Sequence, residues 1–165
     1  MTDPGLEKLL HRLSSNLAED KLVQSVTDDL RTKLMVNRVV LYYFYRQWEG
    51  RVTFESLSSI KYSILGSTGP DECFNGEYAA LYLNGRVSAI ADIETAPIAE
   101  CHRSFLQEIR VKANLVVPVL SPTGLWGLLV AHHCQSSVDW SKEQIEIMRS
   151  GAITLAQSQV ICGND

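Results

Sequence analysis

Apolar residues in the first part of the chain recur at helical spacing. Leu6, Leu9, Leu10, Leu13 and Leu17 form one run, and Leu22, Val23, Val26, Leu30 and Leu34 continue it. Ser14-Ser15-Asn16 and Glu19-Asp20 interrupt the pattern and predict two helices. The period changes at "RVVLYYFYRQW", which is β-branched and aromatic and predicts a strand. Glu49-Gly50 reads as a turn into "RVTFESLS", giving a hairpin. "SSIKYSILGSTGPDECFNG" has no clear period and is long for a loop, a length that usually carries function or disorder. "EYAALYLNG" predicts a short helix ended by Gly85, and "RVSAIADI" a strand. "ETAPIAECHRSFLQEIRV" begins as a loop and becomes a helix that buries Phe105, Leu106 and Ile109. "NLVVPVLSPTGLWGLLVAHH" places two apolar strands around a Pro-Gly turn, and their near-continuous apolar character says both faces are covered. Ser141 and Gln144 form a capping box for a final helix, with Ile145, Met148, Ile153 and Leu155 as its apolar stripe.

Clustered strands with helices at both ends predict an α+β domain. The strands would form one central antiparallel sheet with the terminal helices on one face. The irregular loops would lie on the other face and close a pocket. A length of 165 residues fits a single domain over 1–165, and 45% apolar with 21% charged residues is ordinary for a globular protein. The net charge of −4 argues against nucleic acid as a partner. No apolar run reaches the roughly 18 residues needed to span a bilayer. The start "MTDPGLEKLL" lacks the features of a signal peptide. The expected location is therefore the cytoplasm, where Cys73, Cys101, Cys134 and Cys162 should be reduced. No C-x-x-C pair supports a structural zinc site.

Candidate chemistry is confined to a few stretches. In "TGPDECFNGEY" Cys73 lies beside Asp71 and Glu72, and carboxylates disfavour a thiolate. Cys101-His102 follows in "ECHRSF", and His132-His133 ends the last apolar strand. A cysteine is most often a small buried apolar residue, the expectation for Cys134 and Cys162. A strand-end histidine is more often structural than a ligand, and Trp126 is more often core than site. On spacing alone, the cysteines and histidines could also form a zinc or copper site.

"ECHRSFLQEIRVKANLVVPVL" followed by "LWGLLVAHHC" resembles the chromophore-binding GAF domain of phytochromes and cyanobacteriochromes. "GRVSAIADI" before the Cys-His pair makes the likeness fuller for the cyanobacteriochromes. "DECF" resembles the Asp-x-Cys-Phe motif of their two-cysteine DXCF subgroup. The resemblance runs from about Leu6 to Gln157 and implies a GAF fold and a bound linear tetrapyrrole, phycocyanobilin or phycoviolobilin. By the family's pattern, Cys101 carries the thioether to the bilin A ring, and a soft thiolate suits addition to a conjugated carbon. His102 packs by the central rings, and His132 lies near the D ring and the propionates. Side chains alternate along a strand, so only one of His132 and His133 should face the pocket, and His132 is favoured. Cys73 is the second, reversible cysteine, which adds to the bridge between the B and C rings and shortens the conjugated path. Asp71 hydrogen-bonds pyrrole nitrogens. Phe74, Tyr78 and Trp126 are candidate pocket or lid residues. Arg86, Arg103, Lys112 and Arg110 are candidates for the propionates, since cations pair with carboxylates.

The resemblance implies a photosensor that switches by 15Z/15E isomerisation between a blue-absorbing and a green- or longer-wavelength-absorbing state. It implies no enzyme activity beyond self-catalysed bilin attachment and a possible conversion of phycocyanobilin to phycoviolobilin. Expected partners are the bilin, output domains of a larger parent protein, and a second copy through the terminal helices. No nucleic acid or membrane is expected in this segment. Two rival readings share these residues. One is a GAF module for a cyclic nucleotide or other small molecule, which needs neither Cys73 nor Cys101. The other is a redox or metal sensor built on the same cysteines.

Overall fold

The computed structural model describes residues 3–46, 49–69 and 81–163. Two helices open the chain, α1 (Pro4–Glu19) and α2 (Lys21–Leu34). The break between them is Asp20. Its backbone is extended and its Oδ1 accepts from the amides of Leu22 and Val23, capping α2. Its Oδ2 accepts from Ser158 Oγ at 2.6 Å and so ties the start of the domain to its end. Ser14-Ser15-Asn16, the other candidate break, lies inside α1.

Strands β1 (Arg38–Arg46), β2 (Glu49–Leu57), β3 (Ser88–Ile90), β4 (Ala113–Ser121) and β5 (Gly124–His133) form one antiparallel sheet. Its order is β2-β1-β5-β4-β3. Helices α3 (Glu100–Glu108), α4 (Lys142–Leu155) and α5 (Gln159–Cys162) complete the described elements, with short 3₁₀ turns at Ile60–Tyr62 and Leu81–Asn84. Glu49 and Gly50, read from sequence as a turn, already belong to β2: Glu49 pairs with Arg46 and Gly50 with Phe44. The described part of the expected helix before Gly85 is the 3₁₀ turn, closed where Gly85 takes φ +86°, a conformation that favours glycine.

Alternation sorts the sheet into two faces. Val39, Leu41, Leu115, Val117, Val119, Leu129 and Ala131 pack against Leu30, Leu34, Met148, Ala152 and Leu155 of α2 and α4 to form the main core. Val40, Tyr42, Val116, Leu128 and Val130 point the other way and form a second apolar group with Val52 and Tyr82. A third group, Ile90, Ile93, Leu106 and Val111, lies under α3 with Phe105 and Ile109 packed on it, the buried face expected from the sequence. The expected arrangement therefore holds, with terminal helices on one face and loops and a short helix on the other. Helix α4 starts at the predicted capping box of Ser141 and Gln144. Its buried face, however, is Met148, Gly151, Ala152 and Leu155, and Ile153 is 67% exposed. At about 100° per residue, Ile153 lies well round the helix from Met148.

This register predicts a sharp contrast in urea unfolding. Met148→Ala should cost about 2–5 kcal/mol, as removal of a buried side chain does. Ile153→Ala should be close to neutral, within about 0.5 kcal/mol.

Candidate functional site

The open face of the sheet carries a pocket. Its floor is Val40, Tyr42, Val116, Leu128 and Val130, and its walls include Ile64, Tyr82, Phe105, Leu106 and Ile109. Few polar side chains enter this apolar surface. Among the described residues they include Ser67 and Thr68 from the loop after β2, Ser88 from β3, His102 from α3, Asn114 from β4 and His132 from β5. Such a pocket suits a largely apolar ligand oriented by a small number of polar groups.

His132 is 4% exposed and ends the row that alternation places on the pocket side. His133 turns away, and its Nδ1 accepts from the amides of Gln135 and Ser136, at 3.2 and 3.0 Å. His102 is half-buried at the mouth of the pocket. Burial lowers its pKa, and the nearby Arg86 cation lowers it further. Arg86 itself is half-buried, with its guanidinium carbon 5.4 Å from the centroid of the Tyr82 ring. His102 and His132 thus line the pocket, and Arg86 lies near His102 without lining it. Cys101, at the first turn of α3, is exposed beside His102.

Other expected site residues are employed elsewhere. Arg103 donates to the carbonyl oxygens of Ile93 at 2.7 Å and Ala96 at 3.0 Å, and pairs with Glu100 at 3.1 Å. It holds the loop before α3 and does not line the pocket. Lys112 is exposed, and its backbone bridges Ile93 and His133. Arg110 is exposed at φ +66°, where the chain turns from α3 to β4. Trp126 sits on the helix face, its ring 5.1 Å from that of Tyr43. Its even number predicts the pocket side with Leu128 and Val130. A register shift intervenes, because Val119 pairs with Gly127 but Leu120 pairs with Leu125. The bulge at Trp126 reverses the alternation. Asp71, Cys73, Phe74 and Tyr78 lie outside the described residues.

The loop that leads toward Asp71 is anchored on the sheet. Val52 exchanges hydrogen bonds with this loop, its amide to Ser67 O and its carbonyl from Gly66 N, both at 2.9 Å. The Gly69 amide donates to Tyr42 Oη at 3.0 Å, and a Cβ at Gly69 would fall 2.2 Å from that oxygen. Glycine at this position lets the loop lie directly on a pocket residue.

Cys134 and Cys162 are free thiols, and burial raises the pKa of Cys134. Cys101 is disulfide-bonded, so the expectation of four reduced cysteines fails at this residue. Compartment arguments address redox conditions and not which sulfurs a fold brings within bonding reach. Among the described residues, no group of three or more His, Cys, Asp or Glu could hold a metal ion. No described helix is long and apolar enough to cross a membrane.

Two further residues, Arg38 and Asn114, lie on the pocket side of the sheet although their local sequence does not mark them; they are 1% and 4% exposed. An arginine at a strand start reads as solvated. Parity was the available signal, since Arg38 shares it with Val40 and Tyr42, and Asn114 with Val116. Arg38 donates from Nε to His132 Nδ1 at 3.0 Å and from its other nitrogens to Tyr62 O and Ile109 O, at 2.6 and 2.5 Å. Burial, and secondarily the Arg38 cation, hold the pKa of His132 well below the usual histidine range.

That shift sets a sign for pH dependence. An unfolded histidine takes up a proton near pH ~6.5, whereas folded His132 stays neutral. The unfolded state then binds more protons, and stability falls as pH drops below that value. Urea unfolding between about pH 7.5 and 5.5 should lose up to ~1.4 kcal/mol per pH unit from this group. His132→Gln should flatten the profile, and an unchanged slope in that variant would contradict a neutral His132.

The chain matches the GAF domain family model over residues 19–158. It is 49% identical to an uncharacterized protein of Picosynechococcus sp. strain PCC 7002, over 94% of this chain and 96% of that one. It is 34% identical to a protein of Synechocystis sp. strain PCC 6803 provisionally named a methyl-accepting chemotaxis protein, over 86% of this chain but only 14% of that one. Among solved structures it is similar to the blue-light absorbing form of the Thermosynechococcus elongatus PixJ GAF domain. That match has a TM-score of 0.69 and 31% identity, and covers 81% of this chain and 84% of that one. It is also similar to the phycocyanobilin-bound GAF domain of a cyanobacterial phytochrome, with TM-score 0.71, 26% identity, and coverage of 96% and 98%. The chain belongs to the GAF domain family, and its solved neighbours there include cyanobacteriochrome and phytochrome GAF domains.

Proposed function

We propose that this domain is a light sensor that holds a linear tetrapyrrole in the pocket on the open sheet face. The observation that carries the reading is the polar set of that pocket: His102 beside Cys101, and buried His132 beside Asn114, whose Oδ1 has no hydrogen-bond partner among the described residues. A buried acceptor without a partner costs about 1–3 kcal/mol, a cost relieved by a ligand N–H. An extended, largely apolar conjugated molecule with N–H and C=O groups along its edges fits such a surface. The similarity to the blue-absorbing PixJ domain and to a phycocyanobilin-bound domain supports the same reading.

Bound there, the tetrapyrrole would supply absorption of visible light and a double bond that isomerises. The protein's own residues divide the remaining work. Cys101 provides the sulfur for permanent attachment, at an exposed position on the first turn of α3. His102 packs at the mouth as a neutral imidazole, and His132 lies at the buried end. Arg86 supplies positive charge beside His102, where a ligand carboxylate would be met. The apolar floor excludes water. Cys73 and Asp71 belong to the proposal through the DXCF-like motif, as the reversible second sulfur and the partner of the ring nitrogens. On this reading the domain is a sensor and not an enzyme, apart from self-attachment and a phycocyanobilin-to-phycoviolobilin isomerisation. Output domains of a parent protein, or a second copy through the terminal helices, would receive the signal in the cytoplasm.

A sulfur held in a disulfide cannot add to a conjugated carbon, so attachment requires Cys101 as the thiol. Assembly with phycocyanobilin should therefore give a coloured protein under reducing conditions and little colour without reductant. The pigment should stay with the chain after denaturation, and Cys101→Ala should abolish this. Cys73→Ala should retain attachment but lose the blue-absorbing state. A chain that stays colourless with reductant and bilin present contradicts the reading and returns it to a small-molecule GAF module.

A further inference from the structure

Arg38, His132 and Asn114 form one row across three neighbouring strands. Arg38 is opposite His132 in the β1–β5 pairing, and Asn114 is opposite His132 in the β4–β5 pairing. All three are buried, at 1%, 4% and 4% exposure. His132 and Asn114 line the pocket, whereas Arg38 lies behind them under Tyr62 and Ile109. Side chains directly opposite on one sheet face have Cβ atoms about 4.5–5.5 Å apart, so the three act as immediate neighbours.

The donor inventory of this row is asymmetric. An arginine Nε–H can only donate, because the guanidinium stays protonated and has no acceptor. The 3.0 Å contact from Arg38 Nε therefore requires a lone pair on His132 Nδ1. The imidazolium has no lone pair there, and the Nδ1–H tautomer would set two hydrogens against each other. A neutral ring with its proton on Nε2 is the state that satisfies this contact. Arg38 is itself fixed by Tyr62 O and Ile109 O, so its Nε–H cannot swing aside without freeing a buried cation.

We infer that Arg38 is a positioning residue that locks His132 in the Nε2–H tautomer, so that the pocket presents a fixed donor at His132 beside the buried Asn114 Oδ1, an acceptor with no partner among the described residues. A donor next to an acceptor matches the C=O and N–H of a cis-amide or lactam edge, the group found on the terminal rings of a linear tetrapyrrole. The inference rests on the proposed bilin reading for the identity of the ligand, but the tautomer is a property of the chain alone. Without the lock, a neutral His132 could rotate or transfer its proton and offer a lone pair to the ligand carbonyl.

The test is nuclear magnetic resonance on the whole chain labelled with ¹⁵N in histidine and arginine, assembled with phycocyanobilin. His132 should show a protonated Nε2 and an unprotonated Nδ1 at neutral pH, with a nitrogen–nitrogen coupling across the hydrogen bond to Arg38 Nε. Arg38→Met should abolish that coupling and let the Nδ1–H tautomer or the imidazolium appear. Asn114→Leu should leave tautomer and coupling unchanged, because the lock comes from the other side of the ring. An Nδ1–H or charged His132 in the unaltered chain would overturn the inference, as would a missing coupling, and neither result depends on a variant that folds. Retention of a single Nε2–H tautomer in folded Arg38→Met would overturn it too. If the chain takes up no bilin, the functional reading fails while the same spectra of the colourless protein still decide the tautomer.

Discussion

The pocket depends on a buried cation. Arg38 carries a guanidinium into the sheet interior, where burial depresses its pKa, and its described partners are neutral: a ring nitrogen and two carbonyl oxygens. Desolvation of a charge is costly, and removal of one partner leaves the charge exposed to that cost. The three bonds must therefore hold together. They join the end of β5, the turn at Ile60–Tyr62 and the exit of α3 at a single point. Of these segments, β5 contributes His132 and the exit of α3 contributes Ile109 to the pocket lining, so one side chain ties two parts of that lining together.

Around that point the sheet divides its labour. The helix face is dry and aliphatic and holds the domain together through α2 and α4. The open face keeps apolar floor residues but also carries Ser88, Asn114, His102 and His132. A register shift at Trp126 assigns that large ring to the structural face and leaves Leu125 packing with the pocket group. The result is a largely apolar cavity with few polar groups, suited to holding a conjugated ligand in a set orientation.

Much of this was legible in the chain. Helical spacing gave α1, α2 and α4, β-branched and aromatic runs gave β1, β4 and β5, and Ser141 with Gln144 marked a helix start that the structure contains. Strand alternation correctly sent His132 inward and His133 out. What escaped follows from interactions that are not local. Trp126 and Ile153 depend on a bulge and on helix phase, which a residue pattern does not show. Arg103 had a charge suited to a propionate, yet carbonyl oxygens of its own loop reached it first. Arg38 and Asn114 looked like ordinary polar residues because their burial is conferred by elements distant in sequence, Tyr62 and Ile109 in one case and the β5 neighbour in the other.

We place a tetrapyrrole on the open face of the sheet. A crystal structure of the chain assembled with phycocyanobilin tests this placement most directly. Continuous density should run from the Cys101 sulfur across Val40, Tyr42, Val116 and Val130 and end within hydrogen-bond reach of His132. Pigment on the helix side near Trp126, or density that avoids the His132 end of the pocket, would contradict it.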